Sequence, residues 1–484
     1  MKANHSMKNS VCQGFTRARS RRDFLQHFGC GLGSIALSDL VARDGLAGDG
    51  LVSAGNPLAP QSAPLIPRAK SVIFLFMEGG PSHFETFDPK PALKQYDGQL
   101  LPPNLRDYDL AQINTADAKI MAPAFPFTRH GESGLEISSI FPEIAGHADK
   151  LAVIRSCYHE LFIHGTALTM MHTGTRLMAH PSVGSWVVYG LGSETDELPA
   201  YVAMSEAYFK NGARTFSSGF LPAIYQGTYV RTKGVPIQNL HRPAGLDVRQ
   251  QRMLLDQINR WNGHHRDTSP GDSRLDARIA NYELAFRMQS AAPELIDLST
   301  ETEATRKLYG VDGGTSRTFG TMCLLARRMV ERGVRYIHLV SSGWDAHNAC
   351  PSNHVEGGRK VDRPIAGLLS DLHQRGLLDS TLIVWGGEFG RTPIMQATQG
   401  RDHHPYGFSM WMAGGGIRGG KTIGATDDFG FHAVEDRVHV NDLHATMLSL
   451  LGLDHKKLTY LFEGRERRLT DVGGDHDLSQ RLLA

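Results

Sequence analysis

The sequence predicts an α/β fold, a doubly wound and mostly parallel sheet flanked by helices. Two observations predict it. Apolar runs of strand length recur at 71–77, 151–156, 334–340, 381–385 and 408–412, most of them apolar on both alternating faces, as strands buried on both sides are. Longer stretches with helical spacing lie between them. In 318–332, Phe319, Met322, Leu325 and Met329 share one face, and 361–375 closes on Gly376. Strand and helix alternating in this way imply ligand sites at the carboxyl ends of the strands.

The flanking segments follow in chain order. Ser20, Arg21, Arg22, Asp23, Phe24 and Leu25 come after the basic Lys8, Arg17 and Arg19 and before a mildly apolar run at 28–42. That pattern predicts a twin-arginine signal over 1–47, with the export machinery as a partner and a periplasmic or extracellular destination. Residues 48–68 are rich in Gly, Ala, Pro and Ser and read as a linker holding the cleavage region, with the body at 69–484. Within that body, polar clusters and helix-like stretches mark about 208–307 as an insertion capping the site. No run approaches the ~18 to 20 apolar residues of a membrane span.

Composition narrows the function classes. With 484 residues, 41% hydrophobic and 21% charged, the chain has the make-up of a globular protein with one large core or two smaller ones. Fifty-one Lys and Arg against fifty Asp and Glu leave no overall field to gather nucleic acid. Of five cysteines, Cys12 and Cys30 fall in the leader. Cys157, Cys323 and Cys350 allow one disulfide at most.

Candidate chemistry follows the strands. Glu78 to His83 come after the first run, and Gly343, Trp344, Asp345, Ala346 and His347 after the third. Glu388 to Thr392 follow the fourth, and Asp402, His403 and His404 precede the last. If Glu78, Asp345 and Glu388 converge, their repulsion calls for a cation. Carboxylate and imidazole donors suit zinc, manganese or iron better than calcium, without choosing among them. Each cluster alone has a plainer reading: a solvated turn at Glu78, an N-cap and a surface histidine at Asp345 and His347, a surface turn at His403, a Glu388–Arg391 salt bridge.

Taken in order, the stretches Gly79 to His83 with Asp88 to Pro91, Gly343 to His347, Glu388 to Pro393 and Gly400 to His403 resemble a known family. It is the alkaline-phosphatase and sulfatase superfamily, and within it the exported domain-of-unknown-function family 1501; the resemblance runs from about residue 71 to 453. It implies an alkaline-phosphatase-like fold. It also implies a divalent-metal site in which Glu78 is the first carboxylate, Asp345 and His347 an Asp-His pair, Glu388 a later carboxylate and His403 the late histidine. Phe389 stands where relatives carry a His or Asn ligand, and Asp345 and His347 are two residues apart where relatives space the pair by four. Where sulfatases open an eleven-residue motif with Cys or Ser, residues 164–174 open with His164. His164 is then a ligand, an acid or base, or a nucleophile, with Thr166 the nearest hydroxyl. Arg391 either grips the ester's oxygens or pairs with Glu388.

The implied function is an exported metal-dependent hydrolase whose substrate is an anionic sulfate or phosphate ester, the metal acting as a Lewis acid on the ester oxygen. The alternatives are a metal- or anion-binding protein without turnover and an envelope partner that docks through the insertion.

Overall fold

The computed structural model describes residues 56–103, 117–232, 237, 240, 242, 245–269 and 273–483. The leader expected at 1–47, and the linker as far as residue 55, lie outside the described residues.

Alternation along the first apolar run sets the architecture. In β1 (Ser71–Glu78) every residue is buried. Val72, Phe74 and Phe76 belong to one apolar core, and Ile73, Leu75 and Met77 to another. A strand with two apolar faces has to lie inside a sheet covered on both sides. The main sheet also contains β2 (Ala152–Tyr158), β3 (Tyr201–Ser205), β4 (Thr228–Tyr229), β5 (Tyr336–Ser342) and β6 (Thr381–Gly386). A short ribbon of β7 (Gly390–Arg391) and β8 (His403–His404) follows, then β9 (Phe408–Ala413), β10 (Lys421–Ile423) and β11 (Val438–His439). The order across the sheet is β10-β2-β9-β6-β1-β5-β3-β4, with β11 also paired to β2.

Every pairing in this sheet is parallel except those of β9, which runs antiparallel to β2 and β6. The reason is the connection. Residues 387–407 form the ribbon at the edge where β6 ends, and no helix carries the chain back across the sheet. Without a crossover the next strand must return the way the chain came.

Helices cover both faces. Leu168 of α1 (His164–Thr173), Val187 of α2 (Val183–Leu191) and Leu443 of the late helix Val440–Leu450 enter the core of one face. On the other lie the helices Arg317–Glu331 and Cys350–Gln374, with Met322 and Leu368 in its core. The apolar face expected on the first of these, Phe319, Met322, Leu325 and Met329, is buried. The second begins at Cys350, ahead of the expected 361. Gly357 and Gly358, which weaken a helix pattern, are there for packing. A Cβ would sit 2.6 Å from the Trp344 ring at Gly357 and 2.8 Å from the Ile140 carbonyl oxygen at Gly358.

Two boundaries fall differently from the sequence reading. Residues 61–68, expected in the linker, are bonded to the body: the amides of Gln61, Leu65 and Arg68 donate to the carbonyls of Leu191, Gly452 and Leu450. The segment expected as an insertion divides in two. Phe209, Phe216 and Tyr225 join the main core, and β4 extends the sheet. The helices Val248–Thr268 and Ser273–Ile296 pack on each other, and the second lies against Ala223–Tyr225 and Arg317–Glu331. Cys157, Cys323 and Cys350 are buried free thiols. Among the described residues no helix is long and apolar enough to cross a membrane.

Three buried imidazoles make the fold sensitive to acid. Burial, together with the nearby His338 and His444, drives the proton affinity of His172 well below the ordinary histidine value. Burial also takes His338 down to about 3 and His444 to about 4. The unfolded chain takes up these protons below about pH 6.5, while the folded chain refuses them until near pH 4 or lower. Their stability contribution is therefore complete above pH 6.5 and is lost as pH falls toward 4. Unfolding free energy from urea titration should drop by roughly 2 kcal/mol or more between pH 7 and pH 5; an unchanged midpoint at constant slope would show that these rings are not held neutral.

Candidate metal centre

The strand ends deliver the candidate residues to one edge of the sheet. β1 ends at Glu78, β5 leads into Asp345 and His347, and β6 leads into Glu388. β2 leads through His159 to His164 at the start of α1, and because β9 runs backward its entry side supplies His403. Glycine permits the loops to meet. Gly79 has φ +122, and a Cβ there would lie 2.5 Å from the Asp345 amide nitrogen. At Gly80, φ +77, a Cβ would lie 2.5 Å from the Phe389 ring.

His164, Asp345, His347 and His403 each present one ligand atom, all within 4.8 Å of one another. Asp345 is the hub. Its Oδ1 lies 3.2 Å from His403 Nε2, 3.1 Å from His347 Nε2 and 2.8 Å from Arg391 Nη2. Its Oδ2 lies 3.0 Å from His164 Nε2 and 3.5 Å from Lys210 Nζ. Burial works against the charge of Asp345, but hydrogen bonds from His164, His403 and Arg391 overcome it and hold the carboxyl far below the ordinary range.

The far side of each imidazole fixes what the near side offers. His164 Nδ1 is 2.7 Å from Glu388 Oε1, His347 Nδ1 is 2.7 Å from Gln396 Oε1, and His403 Nδ1 is 2.8 Å from the Phe162 carbonyl oxygen. All three partners accept, so Nδ1 donates in each ring; Nε2 faces the cluster, donating to Asp345 when the ring is protonated and offering a lone pair to an ion when it is neutral, the arrangement of metal-ligating histidines. His347 Nε2 and His403 Nε2 face each other at 3.0 Å. With both rings neutral and Nδ1 donating, two lone pairs would repel at that distance, and a cation shared between them would remove the conflict. Tetrahedral ligation at about 2.0–2.1 Å spaces neighbouring ligand atoms by ~3.3 Å, and His347 Nε2, His403 Nε2 and Asp345 Oδ1 lie 3.0 to 3.2 Å apart. The donor set therefore fits a metal ion. Three imidazoles and a carboxylate favour a first-row transition ion over calcium, which prefers roughly six to eight oxygens.

Glu78 and Glu388, both expected as ligands, stand behind this group. Glu388 is fully buried; its oxygens accept the Gly79 amide at 3.0 and 3.1 Å, and Oε1 also meets His164. Glu78 accepts the Lys210 amide at 2.9 Å. Burial and the charge of Glu388 raise the Glu78 carboxyl to about 7. His164 moves upward too: burial opposes its protonation, and the hydrogen bonds to Asp345 and Glu388 outweigh burial. His403 moves downward through burial, only partly offset by Asp345.

Two residues given catalytic roles in the sequence reading sit otherwise. Arg391 is fully buried and spends its donors on the carbonyls of Gly79, Gly80, Arg401 and Trp344 and on Asp345. It clamps the strand-end loops around Asp345, with no donor directed at Glu388 among the described residues. Thr166 is exposed and donates to the Ile163 carbonyl at 3.0 Å, so its hydroxyl serves the first turn of α1. One residue escaped the sequence reading. Lys210 brings its ammonium within 3.5 Å of both His164 Nε2 and Asp345 Oδ2. The available signal was the apolar run Tyr201–Ser205, since a strand read there places Lys210 at the same edge by the same rule.

A family model described as a protein of unknown function (DUF1501) matches residues 69–481. The chain belongs to that family. No curated protein matches the sequence. Among solved structures, a lipoteichoic acid synthase of Listeria monocytogenes is 10% identical over 82% of this chain and 76% of its own, at a TM-score of 0.36. A sulfatase of Pseudoalteromonas sp. is 12% identical over 80% and 68%, at 0.35. The alkaline phosphatase of the Antarctic bacterium TAB5 is 8% identical over 81% and 99%, at 0.34.

The centre predicts a graded response to substitution. Purified wild type should carry about one transition ion per cluster, measured by elemental analysis, and Asp345→Ala and His403→Ala should lose it. Glu388→Gln removes the charge that orients His164 and should weaken affinity roughly 10- to 100-fold without abolishing binding.

Proposed function

We propose that this DUF1501 protein is an exported, metal-dependent hydrolase of sulfate or phosphate esters that works in the periplasm or outside the cell. The observation that carries the proposal is the convergence of His164, Asp345, His347 and His403 beside the Lys210 ammonium. A metal bound there supplies Lewis acidity toward the ester. The protein's own groups supply the rest. Lys210 places positive charge where the ester's anionic oxygens would lie. Arg391 and the three imidazoles fix Asp345, and Glu388 sets the ring of His164. Glu78, its carboxyl raised to about 7 by burial and by Glu388, is the neighbouring group able to take or give a proton near neutral pH.

The geometry favours direct attack by water over a covalent intermediate. The position expected for a nucleophile is His164, whose two nitrogens are turned to Glu388 and Asp345, and the Thr166 hydroxyl is bonded to Ile163. The same feature supports a second reading, a metal- or anion-binding protein without turnover. Metal-loaded wild type should hydrolyse 4-nitrophenyl sulfate or 4-nitrophenyl phosphate. Asp345→Ala should reduce kcat/KM at least ~10²-fold to 10³-fold, and Lys210→Met should act mainly through KM. A metal-loaded protein that turns over neither ester nor a wider panel of both classes supports the binding reading.

A further inference from the structure

A second cavity opens beside the metal centre. It encloses about 320 Å³ between α1, the loop that follows it and the turn Gly212–Phe216. The two places share elements. α1 carries His164 at its first turn and Leu168, Thr169 and His172 on the cavity wall. Lys210 faces the centre, and the next residue, Asn211, lines the cavity while donating to the Gly165 carbonyl and the Thr169 hydroxyl. At 1.5 Å per residue, the first cavity residues lie about 6 to 8 Å along the helix from His164.

Two side chains on the cavity wall, His172 and Arg214, keep polar groups free of hydrogen bonds and ion pairs among the described residues. His172 is 2% exposed and its ring packs against Phe76 and His338 at 4.7 and 4.8 Å, but it makes no hydrogen bond with a described residue. A buried imidazole at a cavity wall whose nitrogens find no hydrogen-bond partner among the described residues is a hydrogen-bonding position for a ligand. Arg214 stands at the rim, exposed and without an ion pair among the described residues. Leu168, Leu177 and Met178 supply the apolar surface between them.

We propose that this cavity receives the leaving group of the ester held at the metal centre, an alcohol or phenol with an apolar body and a carboxylate of its own. The carboxylate pairs with Arg214, and a polar atom on the body meets His172. This proposal rests on the hydrolase reading, since it assigns the ester's two halves to two adjoining places. A simple alkyl ester would occupy the centre alone, whereas an ester of an aromatic or long-chain hydroxy acid would span both.

The test measures binding by calorimetry on the metal-loaded full chain, with biphenyl-4-carboxylate and 4′-sulfobiphenyl-4-carboxylate as probes. Both should bind about tenfold more weakly to Arg214→Met than to wild type, as expected for a lost hydrogen-bonded charge pair. The sulfonated probe should bind wild type at least tenfold more tightly than the carboxylate alone, and Asp345→Ala should erase that advantage. His172→Gln, which keeps a hydrogen-bonding group, should weaken binding less than His172→Phe. If Arg214→Met changes neither affinity, the cavity is not the carboxylate's site and the proposal falls. If the Arg214 effect holds but the sulfonate adds nothing in wild type, the cavity binds carboxylates independently of the centre. The assignment as a leaving-group site then falls while the cavity survives, and the hydrolase reading stands or falls separately on turnover of the two nitrophenyl esters.

Discussion

The rest of this structure depends on a close approach of backbones. The loop after β1 and the loop after β5 touch where Gly79 faces the Asp345 amide, with no room for a side chain between them. Arg391 then locks the contact by donating to the carbonyls of Gly79 and Trp344 and to Asp345 itself. The buried guanidinium is tolerable because each of its nitrogens donates, and its charge is balanced by the carboxylate it holds. Asp345 in turn can be stripped of water and kept ionised only because Arg391, His164 and His403 surround it. Steric permission at one glycine and electrostatic closure at one aspartate are two sides of the same arrangement.

How far the sequence discloses this differs from element to element. Strands buried on both faces announced themselves, because alternation leaves continuous apolar runs when neither side meets water. The expected runs at 71–77, 151–156, 334–340, 381–385 and 408–412 all become strands of the main sheet. The helix Cys350–Gln374 was half legible, since two glycines serve the Trp344 ring and the Ile140 carbonyl at the expense of helical pattern. Tyr201–Ser205 was missed, being only five residues long, and Lys210 was missed with it.

At the site, order along the chain pointed to the right loops but could not rank their members. Nothing in the string of letters distinguishes Asp345, with both oxygens turned to the cluster, from Glu388, whose carboxylate is spent on the Gly79 amide and on His164. The same holds for Arg391. Its position after a strand suggested a ligand-facing cation, and only packing shows its donors committed to main-chain carbonyls. Sequence motifs record which side chains a site needs. The division into those that face inward and those that brace them is a property of three-dimensional packing.

The reversed strand β9 has a consequence for how the centre comes into being. Because it runs against its neighbours, His403 arrives on the way into the sheet, after the chain has already laid down β1, β2, β5 and β6. The four clustered side chains span residues 164 to 403, and their seating relies on Gly79 near the start of the fold. No fragment of the chain can assemble this centre from local sequence. An ion held there would draw its ligands from distant parts of the chain, so its binding would be coupled to closure of the whole sheet.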